Sequence, residues 1–194
     1  DARLTYDARP DQETAGSETT DEHRRAQIPG RQHDPPAGGS GMAGGTMRIG
    51  ITLGDPAGVG GELALMLIRE LGPTAPVTLF GSMAQVGRAA AALGMTPPLP
   101  FRPLPAEAAD QPEAYLGGPT LLDLVTLTPQ DVLPAVPTGP GGQAQLRYLS
   151  LGAQAAKQGH IDALVTGPVN KGNISQVMGS RFSGQTELLA RLAG

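Results

Sequence analysis

Ala163-Leu-Val-Thr-Gly-Pro-Val-Asn-Lys-Gly172 is the stretch on which the reading of the fold turns. From Ile161 to Val165 the chain is rich in aliphatic and β-branched residues, and the run stops at Thr166-Gly167-Pro168. A short apolar run bounded by turn residues reads as a buried strand whose carboxyl end opens into a loop. Asn170 and Lys171 stand just past that end, where open α/β sheets bind ligands. Lys171 is one of only two lysines, the other being Lys157; the remaining twelve basic residues are arginines. Two readings of Lys171 stand side by side: a solvated loop charge, and a ligand contact.

Upstream, the same grammar repeats. Arg48 to Leu53 reads as a strand with Ile49, Ile51 and Leu53 on one face. Gly54-Asp-Pro-Ala-Gly-Val-Gly-Gly61 follows, then a helical pattern from Glu62 to Leu71 with Leu63, Met66, Leu67 and Leu71 sharing a face. Strand, glycine-rich turn and helix can present backbone N–H groups to an anion. The turn lacks the third glycine of G-x-G-x-x-G, and it has no G-x-x-x-x-G-K-[ST]. Asp55 is its one chemically useful side chain; it reads either as a site residue or as a turn residue bonding its own backbone.

A second unit runs from the strand Val77 to Phe80, through Gly81 and a cap at Ser82, into a helix from Met83 to Leu93 with Val86, Ala89, Ala90 and Leu93 inward and Gly94 as its stop. Thr96 to Pro119 is rich in proline and reads as an irregular surface excursion. Leu121 to Val125 reads as a strand, and Thr128 to Gly142 as a loop with four prolines. A long helix from Gln143 to Gln158 carries Leu146, Leu149 and Ala153 on its buried stripe. Asn173 to Met178 is a short helix or turn, and Thr186 to Ala193 is helical. Strands alternating with helices at this spacing imply an α/β fold with a mostly parallel sheet and flanking helices.

Composition narrows the function. The 194 residues fit one ordinary domain or a small pair. A net charge of -4 leaves no basic footprint for nucleic acid. No apolar run reaches the length of a membrane span, and cysteine is absent, so disulfides and thiolate metal sites are excluded. A cytoplasmic location is the default expectation. Residues 1–46 have almost no apolar periodicity and are read as a disordered extension, or as sequence translated upstream of a natural start at Met47. His23 and His33 fall in that segment, where nothing fixes metal geometry. His160 follows a helix stop and reads as solvated or cap-like.

Three motifs in register carry a resemblance. Arg48-Ile-Gly-Ile-Thr-Leu-Gly-Asp-Pro-Ala-Gly-Val-Gly60, Leu164-Val-Thr-Gly-Pro-Val-Asn-Lys171 and Gly184-Gln-Thr-Glu187 resemble the amino-terminal half of the 4-hydroxythreonine-4-phosphate dehydrogenase family over residues 47–194. The resemblance implies an isocitrate/isopropylmalate-dehydrogenase-like fold of two α/β lobes and a homodimer with its active site at the dimer interface. It implies oxidation of 4-phosphooxy-L-threonine to a keto acid that loses carbon dioxide to give 3-amino-2-oxopropyl phosphate in vitamin B6 synthesis. NAD and a divalent metal (Zn, Mg or Co) are the implied cofactors. Sister enzymes acting on D-threonate or D-erythronate 4-phosphate share these motifs.

The resemblance assigns substrate binding to Gln185 and Thr186, with Asp55 and Lys171 as candidates for catalysis or for loop scaffolding. It places the metal-binding histidines and most cofactor contacts beyond the matched region, so no metal ligand is expected in this chain and His160 is not one. The second lobe is missing, and the chain is read as an amino-terminal portion that is inactive alone, or as a non-catalytic remnant. Two departures stand out. Gln185 replaces a histidine, exchanging a potential cation for a neutral amide. Gly61 replaces a proline at the helix start, which predicts a loss of about 0.5–1 kcal/mol there.

Overall fold

The computed structural model describes residues 46–96, 99–179 and 182–194. The reading of residues 1–46 lies outside the described residues, Thr46 apart, and so do His23 and His33. Among the described residues five strands appear in chain order: β1 (Ile49–Thr52), β2 (Val77–Gly81), β3 (Arg102–Pro105), β4 (Thr120–Asp123) and β5 (Ala163–Thr166). They form one all-parallel sheet in the order β3-β4-β2-β1-β5. The helices are α1 (Gly60–Leu71), α2 (Met83–Ala92), α3 (Gly139–Lys157), α4 (Lys171–Met178) and α5 (Gln185–Ala193). The α/β class and the parallel sheet with flanking helices are as the sequence predicts.

Local chemistry explains the starts of two helices. The Ser82 hydroxyl accepts from Gln85 N–H and starts α2, while the Thr138 hydroxyl accepts from Gly141 N–H and starts α3. Helix α3 therefore begins four residues before the predicted start at Gln143. Pro140 lies in its first turn, where a missing N–H costs nothing. Thr96 to Pro119 is not wholly irregular either: it contains β3, which pairs only with β4 among the described residues. Pro103 and Pro105 suit such an edge strand, because a proline there removes no ladder bond from a second neighbour.

The apolar stripes needed two corrections. On α1 the buried residues are Gly60, Gly61, Ala64, Leu65 and Ile68, whereas Leu63, Met66, Leu67 and Leu71 are 55%, 44%, 40% and 49% exposed. The helix carries two adjacent apolar stripes, and periodicity alone cannot say which faces the sheet. Small residues won: a Cβ on Gly61 would come within 2.9 Å of the Ala89 methyl, so α1 and α2 touch closely there. Gly61 thus has a packing role that a proline could fill only if α2 shifted. On α3, Leu149 is buried as predicted, but Leu146 and Ala153 are only half-buried, and Gln145 and Tyr148 take the interior.

One apolar cluster, around Leu53, Leu65, Ile68, Leu79 and Leu121, joins α1 and α2 to the sheet. Another, around Phe80, Tyr115, Leu122 and Tyr148, joins α3 and the Ala106–Tyr115 turns to the sheet. Each fully buried leucine contributes about 1.5–3 kcal/mol from transfer out of water. A smaller cluster of Leu149, Ile174, Phe182 and Leu188 seats α4 and α5 on α3.

Candidate functional site at the ends of two central strands

The strand order places β1 between β2 and β5, so the chain leaves β1 toward one side and returns on the other. That reversal opens a crevice at the carboxyl ends of β1 and β5, the place where parallel α/β sheets bind ligands. Two loops form its walls, residues 53–59 after β1 and residues 167–170 after β5. They are joined backbone to backbone: Gly167 N–H donates to Thr52 O at 2.8 Å, and Asp55 N–H donates to Pro168 O at 2.9 Å. The contact demands glycine at Gly54, which has a φ of 69° and lies against the Pro168 carbonyl.

A cleft of about 490 Å³ lies between these loops, lined by Asp55, Gly58, Val59, Pro168, Val169, Asn170 and Lys171. Asp55 and Lys171, far apart in sequence, both line this cleft. The Asp55 carboxylate accepts from Ala57 N–H at 3.0 Å, a local turn bond. Lys171 is exposed in the first turn of α4, directly after Asn170, whose side chain accepts from Asn173 N–H at 3.0 Å and caps that helix. A carboxylate and an ammonium on one cleft can bind and orient a polar substrate, and an ammonium on a mobile stem can also move a proton.

Side chains from helices on both faces of the sheet hold the loops. From α2, the buried Gln85 amide donates to Leu53 O at 3.2 Å and Asp55 O at 3.1 Å. One turn on, Arg88 donates to Gly58 O at 2.6 Å and pairs with Glu62 at 2.7 Å. From α3, buried Gln145 accepts from Asn170 N–H at 2.7 Å. The sequence reading missed all three residues. A usable signal existed for the glutamines, since each lies at helical spacing among apolar interior positions, where an amide needs partners.

Gln185 and Thr186 sit apart from this lining. The Gln185 amide donates to the Thr166 hydroxyl at the end of β5, and Thr186 is exposed on the first turn of α5. No side chain caps that helix start at Gly184, and the Glu187 carboxylate lies against Gly184. The chain's own anion therefore occupies part of the positive end of α5.

Comparison with known proteins decides the family. The sequence model for "Pyridoxal phosphate biosynthetic protein PdxA" matches residues 73–194. The chain belongs to the PdxA family. A 4-hydroxythreonine-4-phosphate dehydrogenase of Geobacter metallireducens is 32% identical over 149 residues, which are 76% of this chain and 42% of that protein. A D-threonate 4-phosphate dehydrogenase of Bordetella bronchiseptica is 34% identical over 153 residues, 75% of this chain and 41% of that one. The crystal structure of a 4-hydroxythreonine-4-phosphate dehydrogenase from Burkholderia phymatum superposes with a TM-score of 0.61 at 27% identity, covering 76% of this chain and 44% of that chain. This chain thus spans less than half the length of these PdxA-family relatives.

Among the described residues no three His, Cys, Asp or Glu side chains come together, so these residues do not fit a divalent metal. His160, read as solvated or cap-like, is half-buried and takes the cap-like place at the end of α3. Its ring lies 5.0 Å from that of Tyr115, and its backbone N–H closes α3 on Ala155 O. Burial, aided by the nearby Asp110 charge, pushes the Tyr115 hydroxyl up to about 12, and that hydroxyl donates to Ala109 O at 2.6 Å. The histidine stacks on a structural tyrosine. Nor do the turn glycines form a dinucleotide cradle. A Cβ on Gly60 would overlap the Leu53 carbonyl, so this glycine serves contact with the chain's own backbone. Among the described residues no helix is long and apolar enough to cross a membrane.

Proposed function

We propose that this chain supplies one wall of a dehydrogenase active site that oxidises a 4-phosphorylated four-carbon hydroxy acid, with 4-phosphooxy-L-threonine as the substrate. The observation that carries the reading is the cleft between the two loops, which Asp55 and Lys171 both line. In this reading the Lys171 ammonium binds an oxyanion of the substrate, and Asp55 shapes the loop it faces. Thr186 and the N–H groups opening α5 offer further donors, and Gln185 contributes a neutral amide beside Thr166. In this reading NAD, as the redox cofactor, and a divalent metal would be held by residues other than the described ones, in a homodimeric, cytoplasmic enzyme.

The second reading is a D-threonate 4-phosphate dehydrogenase. It draws on the 34% identity to such an enzyme and on the neutral Gln185. The decisive experiment joins this chain to the carboxyl-terminal remainder of the Geobacter metallireducens relative and measures NAD reduction with both phosphorylated acids. Turnover of 4-phosphooxy-L-threonine supports the first reading, and preference for the threonate supports the second. With folded dimer and native relative active in parallel, no turnover of either acid makes the chain a non-catalytic remnant. Lys171→Ala in the same chimera lowers kcat about a hundredfold if the amine moves a proton; a change below a few-fold returns Lys171 to scaffolding.

A further inference from the structure

Gln145 is fully buried in the interior of α3, yet its polar atoms are not spent within that helix alone. Its amide nitrogen donates to Gly141 O at 3.2 Å, one turn back. Its carbonyl oxygen accepts from the backbone N–H of Asn170 at 2.7 Å. Asn170 is the cap of α4: its side chain accepts from Asn173 N–H, and its carbonyl accepts from Ile174 N–H at 3.0 Å. With the Gln145 bond, the backbone donor, the backbone acceptor and the side-chain oxygen of Asn170 are all engaged. The next residue is Lys171.

The loop of residues 167–170 is held at three points. Two are backbone to backbone, Gly167 to Thr52 and Pro168 to Asp55. The third is Gln145, and it is the hold nearest Lys171. Removing the acceptor of this part-buried bond leaves the Asn170 N–H without its partner and costs the bond that holds it in place. Without it, the Asn170 donor would turn toward water or a new partner and take the start of α4 with it.

We propose that Gln145 is a positioning residue of the cleft: through Asn170 it sets the place from which the Lys171 side chain enters the site. The proposal rests on reading the cleft as a ligand site, and the test separates the two. The only two lysines are Lys157 and Lys171. Reductive methylation with ¹³C-formaldehyde therefore yields two lysine methyl signals, with Lys157, near the far end of α3, as the internal control. Gln145→Met keeps the length of the side chain and removes the acceptor; Gln145→Glu keeps an acceptor oxygen.

In Gln145→Met we expect the Asn170 amide to exchange with solvent about tenfold faster or more. Amides of β1 keep their rates, the Lys171 signal moves, and the Lys157 signal stays. The response of Lys171 to inorganic phosphate then requires several-fold more phosphate. Gln145→Glu brings the Asn170 exchange rate and the Lys171 signal back toward those of the parent. An unmoved Lys171 signal with unchanged Asn170 exchange overturns the proposal. So does acceleration spread evenly over α3 and β1, which marks Gln145 as a fold residue only. If phosphate leaves Lys171 untouched in the parent chain, the cleft reading fails, while the phosphate-free signals and exchange rates still decide the role of Gln145.

Discussion

The backbone N–H of Asp55 donates to the carbonyl of Pro168 across 2.9 Å, so the glycine-rich loop after β1 and the loop after β5 form one hydrogen-bonded rim. This bond makes the two motif loops depend on each other. A change that displaces either one should disturb the cleft as a whole.

Glycine at position 60 is a direct test of that rim. A methyl group there would overlap the Leu53 carbonyl, whereas one at Gly87, exposed in the middle of α2, meets nothing within 4 Å. Gly60→Ala should destabilise by about 3 kcal/mol or more. Gly87→Ala should stabilise by about 0.5–1 kcal/mol from helix propensity. Urea midpoints of the two variants should move in opposite directions.

The burial pattern of α1 separates two leucines. Leu65 is wholly buried and Leu67 is 40% exposed. Leu65→Ala should cost about 2–5 kcal/mol, and Leu67→Ala about 0.5 kcal/mol or less. Equal losses in chemical denaturation would mean that the outer stripe is also packed.

Ala135 has a φ of 60° and donates its N–H to Ala57 O at 3.0 Å, on the glycine-rich loop. The left-handed conformation costs a residue with a Cβ roughly 1–2 kcal/mol. Glycine relieves that cost but gains freedom in the unfolded chain. Ala135→Gly should therefore raise stability by about 0.5–1 kcal/mol, read as a higher thermal midpoint. A lower midpoint would show that the Cβ makes contacts worth more than the strain.

Asp131 links the loop before α3 to the cap of that helix. Its carboxylate accepts from the Thr128 hydroxyl at 2.6 Å, from Thr128 N–H at 3.0 Å and from the Thr138 hydroxyl at 2.9 Å. The Thr128 hydroxyl, with help from the other two donors, holds this carboxyl below the usual aspartate range against the opposing effect of burial. The folded value is lowered, so the stabilisation is complete above the unfolded value of about 3.9 and is lost as pH falls through the folded one. Asp131→Asn should cost about 1 kcal/mol at neutral pH, discounted for solvent screening. The gap between variant and parent should close in acid. A gap that stays constant from pH 7 to acid would show that charge plays no part.

Much of the fold could be read along the chain. Runs such as Val77 to Phe80, followed by Gly81 and the Ser82 cap, state strand, turn and helix through contacts within a few residues, and three motifs in register were enough to identify the family. Sequence also marked Asp55 and Lys171 through their position after strands. Tertiary structure alone decided which of two apolar stripes α1 buries, because both have the same period and only the close approach of Gly61 to Ala89 chooses between them. It decided that the prolines of β3 lie on an edge. It also revealed the bonds from Gln85 and Gln145 to the loops, and the engagement of Gln185 with Thr166. Those pairings join residues that are neighbours only because parallel strands align in register, and local pattern carries no record of a partner brought close through space.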